Sequence, residues 1–546
     1  MSYFNIGEYS RSISTSSEEA QQWFDRGLTW VYAYHHEEAI VCFERALVAD
    51  PMCAMALWGI AYAIGPNYNK PWADFDDSEL RDAIQMARDK LGQAIDLAGQ
   101  SSAVERALIE ALVQRYPKGK SVDNCEQHND LFADAMRKVY RTYSNDLDVC
   151  CLFAEALMNR TPWQLWNLTT GQVAQGASTQ EAIDVLDAAF RDVPTAWQHP
   201  GLLHMYIHLM EMSPHPERAL RHGDALYQLT PDAGHLLHMP THIDVLCGDY
   251  SNVVERNHAA IKADKKYLAD AGADNFYTIY RCHNYHFKIY GALFLGQKDI
   301  ALTTADELIV DLTPAVITPM ADWLEAFIPM KQHVLIRFGL WNEILEQVLP
   351  DDTTLYSVTI AMMRYARTIA LANLQQFGEA EAEQQAFIDA CANVPDSRML
   401  FNNTCHDLLN IASKMVLGEL RYHQGEHEQA FQHLRDAIQL DDNLPYDEPW
   451  GWMQPVRHAL GALLLEQGQL EEAEAIYRAD LGLDSTLSRA CQHPGNVWSL
   501  HGLRECLQLR KETTEAAHIE WQLRKAQARC DVDIKASCYC RGVKRG

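Results

Sequence analysis

The sequence predicts an all-α protein, and three observations lead to this prediction. Apolar residues recur with the helical period i, i+3, i+4 and i+7 in successive windows of the chain. Alternating apolar and polar runs, which are typical of strands, are absent from the sequence. Glycine and proline fall mostly between the helical windows, as in "IGPNYNKPWADFDD", where they end helices.

The segment "AQQWFDRGLTWVYAYHHEEAIVCFERALVADP" has the composition of a pair of packed helices. Gly27 and Ala39 are small enough for two helix backbones to approach closely, and the large side chains of Trp23 and Phe43 fill the space beside them. Pro51 ends the second helix because its ring and its missing N–H cannot continue one.

The pattern recurs along the chain, and its landmarks resemble the tetratricopeptide repeat (TPR), a helix–turn–helix unit of about 34 residues. The recurring windows are "GHLLHMPTHIDVLCGDYSNVVERNHAAIKAD", "YGALFLGQKDIALTTADELI", "SKMVLGELRYHQGEHEQAFQHLRDAIQLDD" and "HALGALLLEQGQLEEAEAIYRADL". The resemblance implies a right-handed α-solenoid. We predict an N-terminal segment over 1–19 and a continuous TPR-like superhelix over 20–546, with roughly ten helix pairs. Within it we predict His-rich repeats at 199–296 and a cysteine-containing tail at 530–546.

Composition limits the function classes. The net charge is −28 and the isoelectric point is near 5.2, which is unlike the basic surface of nucleic-acid-binding proteins and argues against binding to an anionic membrane. No window is long and apolar enough for a transmembrane helix, and the N-terminus lacks the apolar core of a signal peptide. The 14 cysteines are mostly isolated, which is typical of reduced thiols, so we expect a cytoplasmic protein.

Histidines are concentrated in one part of the chain. In "HPGLLHMYIHLMEMSPHPERAL" a helical stripe at i, i+4 and i+7 is formed by His204, His208 and Glu211. In "GHLLHMPTHIDVLCGDY" a second stripe at i, i+3 and i+7 is formed by His235, His238 and His242. In "CHNYHF" one further turn carries His283 and His286. The TPR resemblance implies that these positions face the concave groove, so we expect the stripes to converge there.

Neutral imidazoles gain little from clustering and imidazolium ions repel each other, so a ligand between the rings is expected. Imidazole binds zinc, copper, iron and nickel, and we therefore predict a transition-metal site with Glu211 as its carboxylate ligand. A groove that binds an anion or a peptide is the alternative. Pro240 lies inside the second stripe, where a kink would turn His238 and His242 toward a common point.

A second group of residues is assigned with less support from spacing. His36, His199 and Glu155 are further candidate ligands; packing, helix capping and a buried hydrogen bond are the competing interpretations. Near the stripes, Tyr206, Tyr280 and Tyr290 are candidates for orienting a substrate or donating a proton, and core packing is their alternative role. In the tail, Cys530, Cys538 and Cys540 offer a soft-metal or redox pair, although Cys-x-Cys alone is a weak signal.

The chain also resembles, over most of its length, a His-rich group of TPR proteins from bacteria. The resembling segments include "GLTWVYAYHHEEAIVCFERAL", "CAMALWGIAYAIGPNYN" and "YDEPWGWMQPVRHALGA". This resemblance implies a helical superhelix and leaves the activity open, because fold alone does not determine function.

These observations favour a metal-dependent enzyme. Glycine-rich phosphate loops, the G-x-S-x-G elbow and H-E-x-x-H are absent from the sequence, which argues against nucleotide and flavin chemistry. We expect copper or iron and an oxidoreductase that uses dioxygen on a small molecule, with Glu211, Tyr206 and Tyr290 as catalytic candidates. Zinc, giving a hydrolase, is the first alternative. A non-catalytic scaffold that binds peptides in the groove is the second, and metal storage or sensing is the third.

Overall fold

A computed structural model of the chain describes residues 3–118 and 124–541. The described residues divide into two compact units. Unit 1 comprises Met1–Ile243 and Lys262–Lys266, and unit 2 comprises Asp244–Ile261 and Tyr267–Gly546. The predicted continuity of 20–546 stays a prediction, and residues 542–546 of the predicted tail lie outside the described residues.

The helices that begin in unit 1 are α1 (Glu18–Tyr32), α2 (His36–Ala49), α3 (Ala54–Ala63), α4 (Asp77–Leu97), α5 (Ala103–Leu112), α6 (Cys125–Thr142), α7 (Leu147–Met158), α8 (Thr179–Asp192), α9 (Pro200–Glu211), α10 (Leu220–Leu226), α11 (Gly234–His238) and α12 (Pro240–Leu246). Short 3-10 helices span Trp72–Asp74, Ala98–Gln100, Val113–Arg115, Pro194–Gln198 and Pro216–Ala219.

The remaining helices are α13 (Tyr250–Ala271), α14 (Tyr277–Leu295), α15 (Lys298–Asp311), α16 (Pro314–Ile317), α17 (Ala321–Leu324), α18 (Met330–Arg337), α19 (Trp341–Glu346), α20 (Ser357–Asn373), α21 (Phe377–Cys391), α22 (Cys405–His423), α23 (His427–Asp442), α24 (Val456–Glu466), α25 (Leu470–Asp480), α26 (Val497–Leu509) and α27 (Thr513–Gln527). Further 3-10 helices span Thr318–Met320, Glu325–Phe327 and Arg489–Cys491. The antiparallel strands β1 (Met399–Leu400) and β2 (Asn403–Thr404) form the sheet found among the described residues.

Helix–turn–helix pairs are held together by an aromatic ring that packs against glycine. A Cβ atom on Gly27 of α1 would meet the Phe43 ring of α2 at 2.6 Å, and one on Gly59 of α3 would meet the same ring at 2.6 Å. In unit 2, the ring of Tyr477 occupies the same place between Gly461 and Gly502. The aromatic residue follows the first glycine by the same interval in both (27 to 43, 461 to 477). The predicted all-α repeat class is confirmed.

Two cysteines of the tail, where the sequence offered a redox pair, are joined in the structure, and the other cysteines are free thiols as expected. Cys538 is joined to Cys540 in a disulfide, so neither sulfur offers a thiolate to a metal. The Cys530 thiol donates a hydrogen bond to the carbonyl of Leu295 at 3.0 Å. Among the described residues, no helix is long and apolar enough to cross a membrane.

The packing of Phe43 predicts opposite effects for two glycine-to-alanine changes. Gly27→Ala should lower the free energy of unfolding by about 1–3 kcal/mol, because the added methyl group overlaps the buried ring. Gly92→Ala on α4 is the matched control, since nothing lies within 4 Å of its Cβ position, and it should stabilise the helix by up to about 1 kcal/mol. Thermal and urea unfolding measure both changes. Equal midpoints for the two variants would contradict this packing.

Candidate metal centre

Helix α9 presents the first predicted stripe to the interior of unit 1. The helix begins at Pro200, and His199 caps it by accepting a hydrogen bond from the Leu202 N–H at 3.1 Å. His204, His208 and Glu211 are each no more than 1% exposed. The sequence prediction placed these side chains on a concave surface, whereas the structure buries them.

The second stripe is divided between two short helices. Helix α11 ends at His238 and α12 begins at Pro240, because a proline inside a helix removes a backbone donor. The stripe is therefore interrupted at Met239, and the second helix starts later than a single kinked helix would. This interruption brings the Nε2 atoms of His238 and His242 to 2.7 Å from each other. Together with His204, His208 and His235, these two rings are called the imidazole cluster below.

Glu211 connects the two stripes. One carboxylate oxygen lies 2.9 Å from Nδ1 of His208, and the other lies 2.8 Å from Nδ1 of His242. A carboxylate is an acceptor, so each Nδ1 donates its proton to Glu211. Each neutral imidazole has one N–H, and the Nε2 atoms of both rings therefore carry lone pairs.

His204 is oriented by a different acceptor, the backbone carbonyl of Tyr32 at the end of α1. Its Nδ1 atom donates to that oxygen at 2.6 Å, so its Nε2 atom also carries a lone pair. The Nε2 atoms of His204 and His208 are buried and make no hydrogen bond with any described residue. A buried acceptor of this kind is costly unless a donor or a metal ion meets it.

Three members of the cluster have the arrangement of a metal-binding set. One ring nitrogen from each of His204, His208 and His235 lies within 4.8 Å of the other two. Nitrogens about 2.0–2.1 Å from a tetrahedral ion lie about 3.3 Å apart, so small side-chain rotations would bring these three into range. His208, Glu211 and His242 also have ligand atoms within 4.8 Å of one another, through the hydrogen bonds already described.

Burial keeps the rings neutral, which is the form that binds metals. Loss of solvent lowers the pKa of His204 and of His242 to about 3. The pKa values of His208 and His235 are lowered well below their usual range, first by burial and then by neighbouring imidazoles.

Aromatic rings surround His208. The ring of Tyr34 stacks at 5.8 Å from it, the ring of Tyr68 lies at 4.9 Å and the indole of Trp163 at 5.9 Å. Tyr34 and Trp163 have φ angles of 53° and 58°, in the left-handed region that residues other than glycine rarely adopt. Such backbone conformations are found at functional sites, where the surrounding structure maintains them.

Three less certain candidates in unit 1 have other contacts. His199 uses Nδ1 for the cap and has the Tyr9 hydroxyl 3.0 Å from Nε2, so both nitrogens have contacts and its role as a ligand stays a prediction. Glu155 accepts a hydrogen bond from the Tyr62 hydroxyl at 2.6 Å, and burial raises its pKa. His36 lies 3.5 Å from the side-chain amide of Asn67.

Tyr206 is on α9 but does not face the imidazole cluster. Its hydroxyl donates to Asp187 at 2.9 Å, and its ring stacks on His222 at 3.8 Å. It lies two residues from His204 and two from His208, an offset that turns it to another side of the helix. These contacts are those of the packing alternative, and the catalytic role of Tyr206 stays a prediction.

The other candidates belong to unit 2 and contact residues of that unit. His283 packs against the ring of Phe401 at 4.6 Å, and Nε2 of His286 lies 2.8 Å from the sulfur of Met453. The Tyr290 hydroxyl lies 3.1 Å from Nε2 of His493. Tyr280 packs against Tyr277 at 5.5 Å. Their predicted roles at one common site stay predictions.

Sequence reasoning missed four residues that contact the cluster. Tyr32, Tyr34, Tyr68 and Trp163 lie far from the stripes in sequence, and none of them repeats with a helical interval that would mark it. The segments "WVYAYHHEEA" and "GPNYNKPW" are rich in aromatic residues, and that composition was the available signal.

Comparisons with known proteins add no functional assignment. No protein-family model matches the chain, and no curated protein matches it. Among solved structures it is similar to yeast Tom70, with 11% identity, coverage of 93% of this chain and 90% of that chain, and a TM-score of 0.30. For Naa15/Naa10 bound to HypK-THB the values are 14%, 94%, 74% and 0.23. For the P58(IPK) TPR domain they are 11%, 90%, 99% and 0.21. Scores this low carry no argument, so the repeat assignment rests on the helices described above.

The two hydrogen bonds of Glu211 predict a loss of stability on Glu211→Gln. A glutamine side chain has one acceptor oxygen, so one of the two Nδ1–H groups would lose its partner. We expect the free energy of unfolding of metal-free protein to fall by about 1–3 kcal/mol, measured by urea unfolding.

The matched control is Glu110→Gln on the exposed face of α5, for which a change below about 0.5 kcal/mol is expected. If Glu211→Gln changed stability as little as the control does, the double hydrogen bond would not exist in solution.

Proposed function

We propose that unit 1 holds one transition-metal ion through the imidazoles of His204, His208 and His235. The observation that supports this proposal best is the pair of buried Nε2 atoms of His204 and His208. The proton of each ring is committed to Tyr32 or Glu211, so these atoms are acceptors without a donor among the described residues. A metal ion is the partner that such nitrogens accept most readily in a dry interior.

Glu211 then acts as a positioning carboxylate and not as the ligand that the sequence suggested. Its two oxygens receive the Nδ1–H groups of His208 and His242. Carboxylates placed in this way fix the tautomer of a ligating histidine and increase its basicity. A set of two histidines and Glu211, the composition of mononuclear iron oxygenases, is less favoured because each oxygen already accepts a hydrogen bond from a ring.

An all-imidazole set favours copper or zinc. We propose copper and an oxidoreductase that uses dioxygen on a small molecule, since the rings of Tyr34, Tyr68 and Trp163 exclude water around His208. Bound copper would supply one-electron chemistry with dioxygen. Zinc at the same nitrogens would instead supply an activated water for hydrolysis, and the ligand set fits both ions.

A peptide scaffold draws less support from the contacts. Side chains that read a peptide need solvent access, but every ring of the imidazole cluster is at most 2% exposed. The acidic composition also gives no preference for an acidic peptide. The same burial supports the metal proposal, because neutral rings in a dry environment coordinate a metal ion more strongly.

The proposal predicts about one equivalent of copper or zinc in protein purified without a histidine tag. The double variant His204→Gln/His208→Gln should lose the metal and keep its helical circular dichroism. His222→Gln is the matched control, because His222 is a largely buried histidine that stacks on Tyr206 outside the cluster, and it should keep the metal.

Elemental analysis of the three proteins decides between the outcomes. Copper, with an electron paramagnetic resonance spectrum showing nitrogen couplings, supports the oxidoreductase. Zinc in place of copper supports the hydrolase instead. Metal-free protein, or equal metal content in all three, overturns the site.

A further inference from the structure

The segment Trp452–Gln454, between α23 and α24 in unit 2, is fixed against helix α18. The Trp452 ring packs edge-on against the ring of His333 at 4.9 Å. The side-chain amide of Gln454 donates to the backbone carbonyl of His333 at 2.5 Å. Met453 lies between these two residues, and its side chain contacts a different helix.

Met453 meets His286 of helix α14. Its sulfur lies 2.8 Å from Nε2 of His286, and both residues are essentially buried. A thioether sulfur is a weak acceptor, so it satisfies an imidazole N–H poorly. The Nδ1 atom of His286 is also buried and makes no hydrogen bond with a described residue. The two ring nitrogens of His286 therefore have one weak acceptor between them among the described residues.

His333 has the same property. Its Nδ1 atom is buried without a hydrogen-bond partner among the described residues. Its ring is placed beside the segment by Trp452, the residue that precedes Met453.

We propose that His286, Met453 and His333 form a soft-metal site in unit 2 that binds copper(I). The thioether is the residue that selects the metal, because soft sulfur ligands favour copper(I), while thioethers are poor ligands for zinc, magnesium and calcium. Two neutral imidazoles and a neutral sulfur suit a monovalent ion, which needs less charge compensation in a buried site than a divalent one. The proposal does not depend on the metal centre of unit 1.

Two phenylalanine rings pack around His286. Phe327 packs edge-on against His286 at 5.7 Å, and Phe401 stacks beside it at 6.5 Å. Apolar rings exclude water, and a dry surrounding favours the reduced, lower-charged state of copper. The site is therefore suited to hold or transfer copper(I).

The test uses full-length protein in the His204→Gln/His208→Gln background, which removes two of the three ligands proposed for unit 1. The protein is labelled with selenomethionine, loaded anaerobically with copper(I), and compared with Met453→Leu and Met363→Leu. Leucine conserves the volume of methionine closely, so both variants should fold. Met363 is a buried methionine of helix α20 and serves as the matched control.

Copper-edge X-ray absorption then identifies the ligand directly. We expect a selenium neighbour of copper in the parent and in Met363→Leu, and none in Met453→Leu. Selenium separates the thioether from the thiols of the cysteines, which the label does not mark. Titration against a chromophoric copper(I) chelator should give an affinity at least about tenfold weaker for Met453→Leu.

His333→Gln provides a second variant for the same titration, and an affinity loss of about tenfold is expected if its imidazole is the third ligand. Absence of a selenium neighbour in the parent, or equal affinity in Met453→Leu and Met363→Leu, overturns the proposal. The His286–Met453 contact would then be a buried N–H to sulfur interaction only.

Discussion

The carboxylate of Glu211 is the group on which the arrangement of unit 1 depends. It is buried, and it accepts one hydrogen bond from a ring on its own helix, α9, and one from a ring on α12. The second of these hydrogen bonds joins the two helices. Both hydrogen bonds also decide the chemistry of the rings, because a proton held at Nδ1 leaves a lone pair at Nε2. The hydrogen bonds of Glu211 therefore both stabilise the structure and orient the rings, so a substitution of Glu211 would change both.

Much of the fold could be predicted because its determinants are local in sequence. Glycine and an aromatic residue at a fixed interval specify that two successive helices pack closely, as with Gly27 and Phe43, and Pro240 marks the break between α11 and α12. The division after Ile243 could not be predicted in this way. It falls inside α12, where no change in composition marks it, since compactness arises from contacts between residues distant in sequence.

The site was predictable to a similar extent and for the same reason. Helical spacing alone placed His204, His208 and Glu211 on one face, since residues at i, i+4 and i+7 share a face. Spacing could not reveal that both oxygens of Glu211 accept hydrogen bonds from imidazole rings. The carbonyl that orients His204 is 172 positions away, and the sulfur beside His286 is 167 positions away. Partners so distant carry no sequence period.

The difference between the two donor sets explains why they should prefer different ions. In unit 1, hydrogen bonds to Tyr32 and Glu211 fix which nitrogen of a ring is available, and the nearby carboxylate compensates positive charge. Such a set suits a divalent ion with a defined geometry. In unit 2, His286 is held by the rings of Phe327 and Phe401, and its ligand partner is a neutral thioether. The packing of these rings does not select a tautomer of His286, and a thioether contributes no charge to a bound ion. Copper(I), which has a low charge and a weak geometric preference, suits such a donor set.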